Sequence, residues 1–202
     1  MCDLKRRKLV CVGIMTFVIP RIFFSLAFGA GSEANRINIH DVFIQSGWIG
    51  DGEEYNKYIS FSSFNVDNPH SAPLCIKISY QFGPSKWAGI YWQNEPNNWG
   101  DEPGNDYSRK SLRKLTFWAR GEAGGEVVEF KSGGINISGK RYKDSYVAST
   151  GSQKLTKEWK QYEIDLSQAD LSSVIGGFCW IARAEDNTGK EIIFYLDDIY
   201  FE

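Results

Sequence analysis

The sequence predicts an all-β fold, a two-sheet antiparallel β-sandwich, and three observations lead to this prediction. Short apolar runs follow one another from residue 37 to the C-terminus, and Gly, Asn, Asp, Pro and Ser separate them. Several runs alternate apolar and polar residues with a period of two, as in Tyr162–Leu166, which is typical of a half-buried strand. Helical periodicity is scarce, and 20 glycines are available for the tight turns of such a fold.

Nine strands and one short helix are predicted. The strands are Val42–Trp48, Tyr58–Phe64, Leu74–Phe82, Ala88–Gln93, Lys114–Arg120, Glu126–Ser132, Trp159–Leu166, Gly177–Ala184 and Glu191–Phe201. The helix is predicted over Leu166–Ile175, with Ser167 as its cap. Because no repeat and no linker interrupts the chain after Ile37, residues 37–202 are expected to form a single domain.

The chain begins with a basic and then apolar segment that is typical of exported proteins. Lys5–Lys8 is entirely basic, Leu9–Ile19 is apolar, and small residues close the segment near Ala30. Residues 1–32 are therefore predicted to be a signal peptide, and the protein is expected in the periplasm, at the cell surface or outside the cell. An uncleaved membrane anchor is the alternative, and Arg21 within the apolar part disfavours it.

The part of the chain that follows residue 30 is acidic. Removal of residues 1–30 takes away five cations and one anion, which leaves 18 basic and 24 acidic side chains and a net charge of −6. Nucleic acid and membrane insertion are therefore not expected for the mature domain, because binding to nucleic acid or to anionic lipid depends on clustered Lys and Arg. Cys75 and Cys179 remain, and the sequence leaves open whether they form a disulfide or stay buried thiols.

The most informative stretch is Trp87–Asp101, where an aromatic-rich strand runs into an amide-rich loop. Aromatic faces stack on the C–H face of a sugar ring, and amides exchange paired hydrogen bonds with its hydroxyl groups. Trp118 and Arg120 are expected to project from a neighbouring strand. The predicted ligand-binding residues are Tyr91, Gln93, Asn94, Asn97, Asn98, Trp99, Trp118 and Arg120. The alternative is a polar loop held by Asx turns, with Trp99 covering the edge of the core.

Three motifs carry a resemblance to a known family. Lys114–Gly121, preceded by Asp106-Tyr-Ser, ends a hydrophobic strand in Trp-Ala-Arg-Gly; Trp159–Leu166 has the form W-x-x-Y-x-I-D-L; and Phe194–Tyr200 contains Leu-Asp-Asp-Ile. In this order they resemble strands of galactose-binding-like jelly rolls, a group that includes carbohydrate-binding modules of polysaccharide-degrading systems. The resemblance covers roughly the last half of the chain. The same fold also occurs in proteins that bind no sugar, such as those similar to complex I intermediate-associated protein 30.

The resemblance implies a jelly-roll fold, a glycan site on a sheet face or its edge loops, and a structural Ca²⁺. Many such modules hold the ion between an early acidic segment and the terminal Asp-Asp strand, where hard oxygen ligands suit it. The matching residues are Asp51, Glu53, Asp197 and Asp198. The alternative is that Asp197 and Asp198 are ordinary carboxylates of a strand end and its turn.

No pattern of catalytic residues stands out in the sequence. His40 and His70 are its two histidines, and neither belongs to a nucleophile or phosphate-binding motif. Glu163 and Asp165 are expected on the solvent face of an edge strand rather than across a cleft. The predicted function is therefore that of an exported, non-catalytic protein that binds a polysaccharide or oligosaccharide. A structural or protein-interaction domain with a protein partner is one alternative, and a polysaccharide lyase or hydrolase is the other.

Overall fold

The computed structural model describes residues 36–52, 54–189 and 191–202, so the predicted signal peptide at residues 1–32 lies outside the described residues. The strands are β1 (Ile37–Asn38), β2 (Ile44–Gly50), β3 (Ile59–Asn65), β4 (Cys75–Gln81), β5 (Trp87–Gln93), β6 (Lys114–Gly121), β7 (Val127–Gly133), β8 (Val147–Lys154), β9 (Lys160–Asp165), β10 (Gly176–Arg183) and β11 (Glu191–Phe201). A one-turn helix, α1 (Ile39–Val42), and two 3₁₀ turns, Tyr55–Tyr58 and Ala184–Asp186, complete the elements of the described part.

The strands form two antiparallel sheets, which confirms the predicted β-sandwich. The first sheet has the order β3-β4-β11-β6-β9, and β1 also pairs with β11. The second sheet has the order β2-β5-β10-β7-β8. Consecutive strands β5 and β6 therefore belong to different sheets, and this separation decides which side chains can share a binding face.

Aromatic side chains from both sheets meet in the core. Phe117 of β6 lies 4.6 Å from Phe130 of β7 and 5.2 Å from Phe178 of β10, measured between ring centroids. All three side chains are fully buried. Rings in tilted or edge-on contact add about 0.5–1.5 kcal/mol per pair beyond the free energy of area burial, so this contact holds the two sheets together.

The nine predicted strands are all present, but the sequence prediction missed β8. The side chains of Val147–Lys154 are mostly exposed because β8 is the edge strand of the second sheet, so it lacks a regular apolar face. The isolated pair β1 with β11 was not predicted either.

The predicted helix over Leu166–Ile175 is wrong. The residues that were assigned to it pair instead with the segment before β6: Leu171 O accepts a hydrogen bond from Tyr107 N at 2.8 Å, and Val174 forms a β-bridge with Asn105. Extended pairing buries the apolar residues of this stretch against the core without a helix. Among the described residues, no helix is long and apolar enough to cross a membrane.

Residues 134–146, the covering segment, follow β7 and pack on the outer face of the second sheet. Asp144 holds this segment in place, because its carboxylate accepts hydrogen bonds from Ile135 N at 2.7 Å, Gly176 N at 3.2 Å and Ile175 N. Burial raises the pKa of Asp144 to about 6, and the three backbone N–H groups oppose this rise. The carboxylate therefore links the covering segment to the start of β10.

The contact between the sheets predicts a large stability effect at Phe117. Phe117→Ala should lower the free energy of unfolding by about 3–5 kcal/mol, because it leaves a cavity where the three rings meet. Phe64, which is 77% exposed, provides the control, and Phe64→Ala should change the free energy of unfolding by less than about 0.5 kcal/mol. Urea denaturation of both variants measures the two effects, and equal losses would contradict this description of the core.

The buried carboxylate predicts a pH-dependent stability. Between the ordinary Asp pKa of 3.8 and the folded value of about 6, the folded protein binds a proton that the unfolded chain has released. Asp144 therefore stabilises the fold more as the pH falls, whereas Asp144→Asn has no such dependence. The free energy of unfolding of the native protein minus that of Asp144→Asn should decrease by about 2 kcal/mol from pH 4 to pH 7. Urea denaturation at the two pH values tests this, and a difference that stays constant or grows from pH 4 to pH 7 would show that folding does not raise the pKa of Asp144.

Candidate functional site

Tyr91, the first of the predicted ligand-binding residues, lies flat on the outer face of the second sheet. Its ring passes over Gly176, where a Cβ atom would come within 2.9 Å of Tyr91 Cδ1, and beside Gly47, where a Cβ atom would come within 2.7 Å of Tyr91 Cβ. The Tyr91 hydroxyl donates to Gly133 O at 3.3 Å, and Trp99 meets the ring edge-on at 6.2 Å. Tyr91 is only 6% exposed, so it forms the base of the face rather than an open platform.

The predicted amides are mostly engaged within their own loop. Gln93 is fully buried, accepts from Ser46 Oγ at 2.8 Å and donates to Asn98 O at 2.7 Å. Asn98 Oδ1 accepts from three successive backbone N–H groups, those of residues 100–102, and Asn98 Nδ2 donates to Asn94 Oδ1 at 3.0 Å. Asn97 is exposed with a φ of 56°. This arrangement is that of the polar loop held by Asx turns, in which Trp99 is half-buried against Tyr91.

Trp118 and Arg120 lie on the other sheet, so the expectation that their strand neighbours β5 is wrong. Both project from the outer face of β6, and β6 pairs with β11 and β9. His70 stacks on Trp118 with 3.7 Å between ring centroids, and the Arg120 guanidinium lies 3.7 Å from the centre of the Tyr195 ring. The eight predicted ligand-binding residues therefore do not converge on one face.

The stacking on Trp118 belongs to a loop, residues 66–73, that folds over the outer face of the first sheet. His70 Nδ1 lies 2.8 Å from Asp198 Oδ2, Ser71 N donates to Asp197 Oδ2 at 2.9 Å, and Trp159 Nε1 donates to Asn68 O at 2.9 Å. The aromatic and acidic side chains on this face therefore hold the loop against the sheet.

Among the described members of the predicted calcium set, Asp51 lies apart from Asp197 and Asp198, which are adjacent in β11. Asp51 Oδ1 accepts from Lys86 N and Trp87 N, just beyond the end of β4, whereas Asp197 accepts from a residue that precedes β4. These positions are separated by the length of β4, about 20 Å for its seven residues. Glu53 lies outside the described residues, and the rest contain no group of three or more His, Cys, Asp or Glu placed to hold a metal. The structural Ca²⁺ stays a prediction.

Beside Tyr91, the outer face of the second sheet carries aromatic, aliphatic and charged side chains together. Trp87 and Tyr91 alternate along β5 with residues that enter the core, and they belong to one apolar cluster with Ile49 and Ile181. Trp87 and Ile49 are partly exposed. We call this surface the Trp87 face; its residues are Ile49, Trp87, Glu129, Lys131, Ile181 and Arg183.

Polar groups of the Trp87 face come from β7 and β10. Glu129 Oε2 accepts a hydrogen bond from Arg183 Nη2 at 2.9 Å, and Glu129 Oε1 accepts one from Ser149 Oγ at 2.7 Å. Burial raises the pKa of Glu129, but the hydrogen bonds from Ser149 and Arg183 outweigh it, so this pKa lies below its ordinary value. The face therefore presents an ionised carboxylate and a guanidinium next to the apolar side chains.

Cys179 lies beneath this face as a free, fully buried thiol, and Cys75 on the first sheet is also free. The two cysteines are therefore not bridged. Burial raises the pKa of the Cys179 thiol, and the positive charge of Lys131 opposes this rise. Cys179 pairs in register with Lys131 on one side and Tyr91 on the other.

The sequence reasoning selected none of the residues of the Trp87 face as site residues, although Trp87 lies in the stretch that it found most informative. Glu129 and Lys131 alternate with the buried Val128 and Phe130, so a period of two already assigns them to the outer face of β7. The missing information was the partner strand, because β7 reaches β5 only through β10.

Solved structures with the same fold include carbohydrate-binding modules. A family 11 carbohydrate-binding module from Clostridium thermocellum, in complex with a β-1,3-1,4-mixed-linked tetrasaccharide, is 16% identical with a TM-score of 0.54, covering 82% of this chain and 93% of that module. A family 30 carbohydrate-binding module is 18% identical with a TM-score of 0.52, covering 82% of this chain and 86% of that chain.

A catalytic protein contains the fold as well. The glycoside hydrolase domain structure of Endo-D from Streptococcus pneumoniae R6 is 11% identical with a TM-score of 0.51, covering 77% of this chain and 21% of that chain. No protein-family model and no curated protein matches the sequence. Likeness at these identities shows the fold alone: the chain has the jelly-roll sandwich of carbohydrate-binding modules.

Proposed function

We propose that this chain is an exported, non-catalytic protein that binds a glycan on its Trp87 face. The observation that carries the proposal is the partly exposed indole of Trp87 beside the ion pair of Glu129 and Arg183, all on central strands of one sheet. A sugar ring has an apolar C–H face and a rim of hydroxyl groups. It therefore suits a surface that combines aromatic and aliphatic area with a few fixed donors and acceptors.

Two further observations support parts of this proposal. The structures with the same fold include a module in complex with a tetrasaccharide, which supports the class of ligand. The basic and then apolar sequence of residues 1–32 supports export, and N-terminal sequencing of protein recovered outside the cytoplasm tests it. A mature chain that retains residues 1–32 would instead support the anchor.

Protein interaction is the competing function, and two observations favour it. Tyr91 is buried, and Trp118 is covered by His70, as expected if these aromatic residues have a structural role. Against a hydrolase, Glu163 and Asp165 are exposed on the edge strand β9, where they do not face each other across a cleft.

The proposal predicts opposite outcomes for two tryptophans. Trp87→Ala should weaken glycan binding about tenfold or more, because it removes the aromatic surface on which a sugar ring stacks. Trp118→Ala, on the other sheet, should leave binding unchanged. Affinity gel electrophoresis of the native protein and both variants on a panel of neutral and anionic polysaccharides measures the effect, with thermal melting as the check on folding.

Each outcome of this comparison has a defined meaning. If Trp118→Ala abolishes retardation and Trp87→Ala leaves it intact, the glycan binds on the first sheet. This result would refute the proposed site on the Trp87 face. Absence of retardation on every polysaccharide, with folded protein, would favour the protein-interaction function.

A further inference from the structure

Lys131 occupies a central position on the Trp87 face. It lies on β7, and its register partners are Cys179 on β10 and Ser149 on the edge strand β8. The side chain is half-buried, and as a register partner of Cys179 it shares the outer face of the sheet with that residue. Its positive charge acts on both Cys179 and Glu129.

The carboxylate nearest to Lys131 in sequence is already engaged. One oxygen of Glu129 accepts from Arg183 and the other accepts from Ser149. The ammonium group of Lys131 makes no hydrogen bond or salt bridge with any residue that the structure describes, although its charge acts on Glu129. A partly buried ammonium loses hydration and gains stability when an anion supplies the missing acceptor.

The charge of the face differs in sign from the charge of the protein. The chain has a net charge of −2, and of −6 without residues 1–30. The Trp87 face instead carries two cations, Lys131 and Arg183, against one anion, Glu129. The excess charge of these side chains is positive at the Lys131 end of the face, whereas the carboxylate of Asp51 lies at the Trp87 end. The Lys131 end therefore attracts an anionic group and repels a cationic one.

The size of the face sets the length of the ligand. Trp87 and Lys131 are separated by two strand spacings across the sheet and four residues along it. With about 4.8 Å per strand and 3.3 Å per residue, their Cα atoms are about 16 Å apart. A single sugar ring is too short to reach both, whereas an oligosaccharide can stack on Trp87 and place a charged substituent at Lys131.

We infer that the Trp87 face selects an anionic glycan, with a carboxylate or sulfate group of the sugar bound by Lys131. This inference rests on the proposed function and names the chemical class of its ligand. The anionic group receives a charge-assisted hydrogen bond from the ammonium, while Glu129 and Arg183 stay paired and serve the neutral hydroxyl groups.

The test compares Lys131→Met with a matched control on the full chain. Lys77 is the control, because it is also half-buried on a central strand but belongs to the outer face of the first sheet. Affinity gels contain polygalacturonate, sulfated dextran or neutral mixed-linked β-glucan. We expect polygalacturonate or sulfated dextran to retard the native protein and Lys77→Met equally, and to bind Lys131→Met at least tenfold more weakly. Lys131→Arg, which keeps the charge, should retain binding, and added salt should weaken it.

The outcomes separate this inference from the proposed function. Retardation by the neutral glucan alone, unchanged in Lys131→Met, would overturn the anionic ligand but leave glycan binding in place. If Lys131→Met binds an anionic polysaccharide as tightly as the native protein does, Lys131 does not bind the anionic group. Retardation by polygalacturonate identifies a carboxylate as the bound group, and retardation by sulfated dextran alone identifies a sulfate. No retardation on any gel would count against glycan binding itself.

Discussion

The arrangement of the molecule depends on β10, which is buried on both of its faces. Its inner face packs through Phe178 on the aromatic core, and its outer face carries Cys179 and Ile181, both almost inaccessible to solvent. Near Tyr91, the outer face is buried because the covering segment and the loop around Trp99 pack on it. The part of the outer face near Trp87 is less covered, and Trp87 and Ile49 are partly exposed there.

Local sequence patterns were enough to predict the fold, because strands such as β7 and β9 alternate apolar and polar residues and so indicate which face is buried. The bounds of β11 agree with the prediction at both ends, and β6 and β9 differ from it by at most one residue at each end. The edge strand β8 was not predicted. Because it lies at the edge of its sheet and buries little area, its sequence has no regular apolar pattern. The stretch from Leu166 to Ile175 was misassigned because its apolar residues are buried by long-range pairing.

The candidate site could not be predicted to the same degree, since a face is assembled from strands that are distant in sequence. Trp118 could share a binding face with Tyr91 only if β6 were a neighbour of β5. The sheet order places β5 and β6 in different sheets. Lys131 could be assigned to an outer face but not to a neighbour of Cys179. Sequence therefore predicted which side chains point outward, and the topology determined which of them meet.

The amide loop beside Trp99 has a consequence for the thermodynamics of binding. Its polar groups are satisfied from within, since Asn98 accepts three backbone N–H groups and also donates to Asn94. Such a loop keeps its shape whether or not anything is bound, so the position of Trp99 beside Tyr91 is preorganised. A ligand that contacts Trp99 would then pay little conformational entropy for ordering protein. The entropy lost on association would come chiefly from the ligand's own flexible linkages.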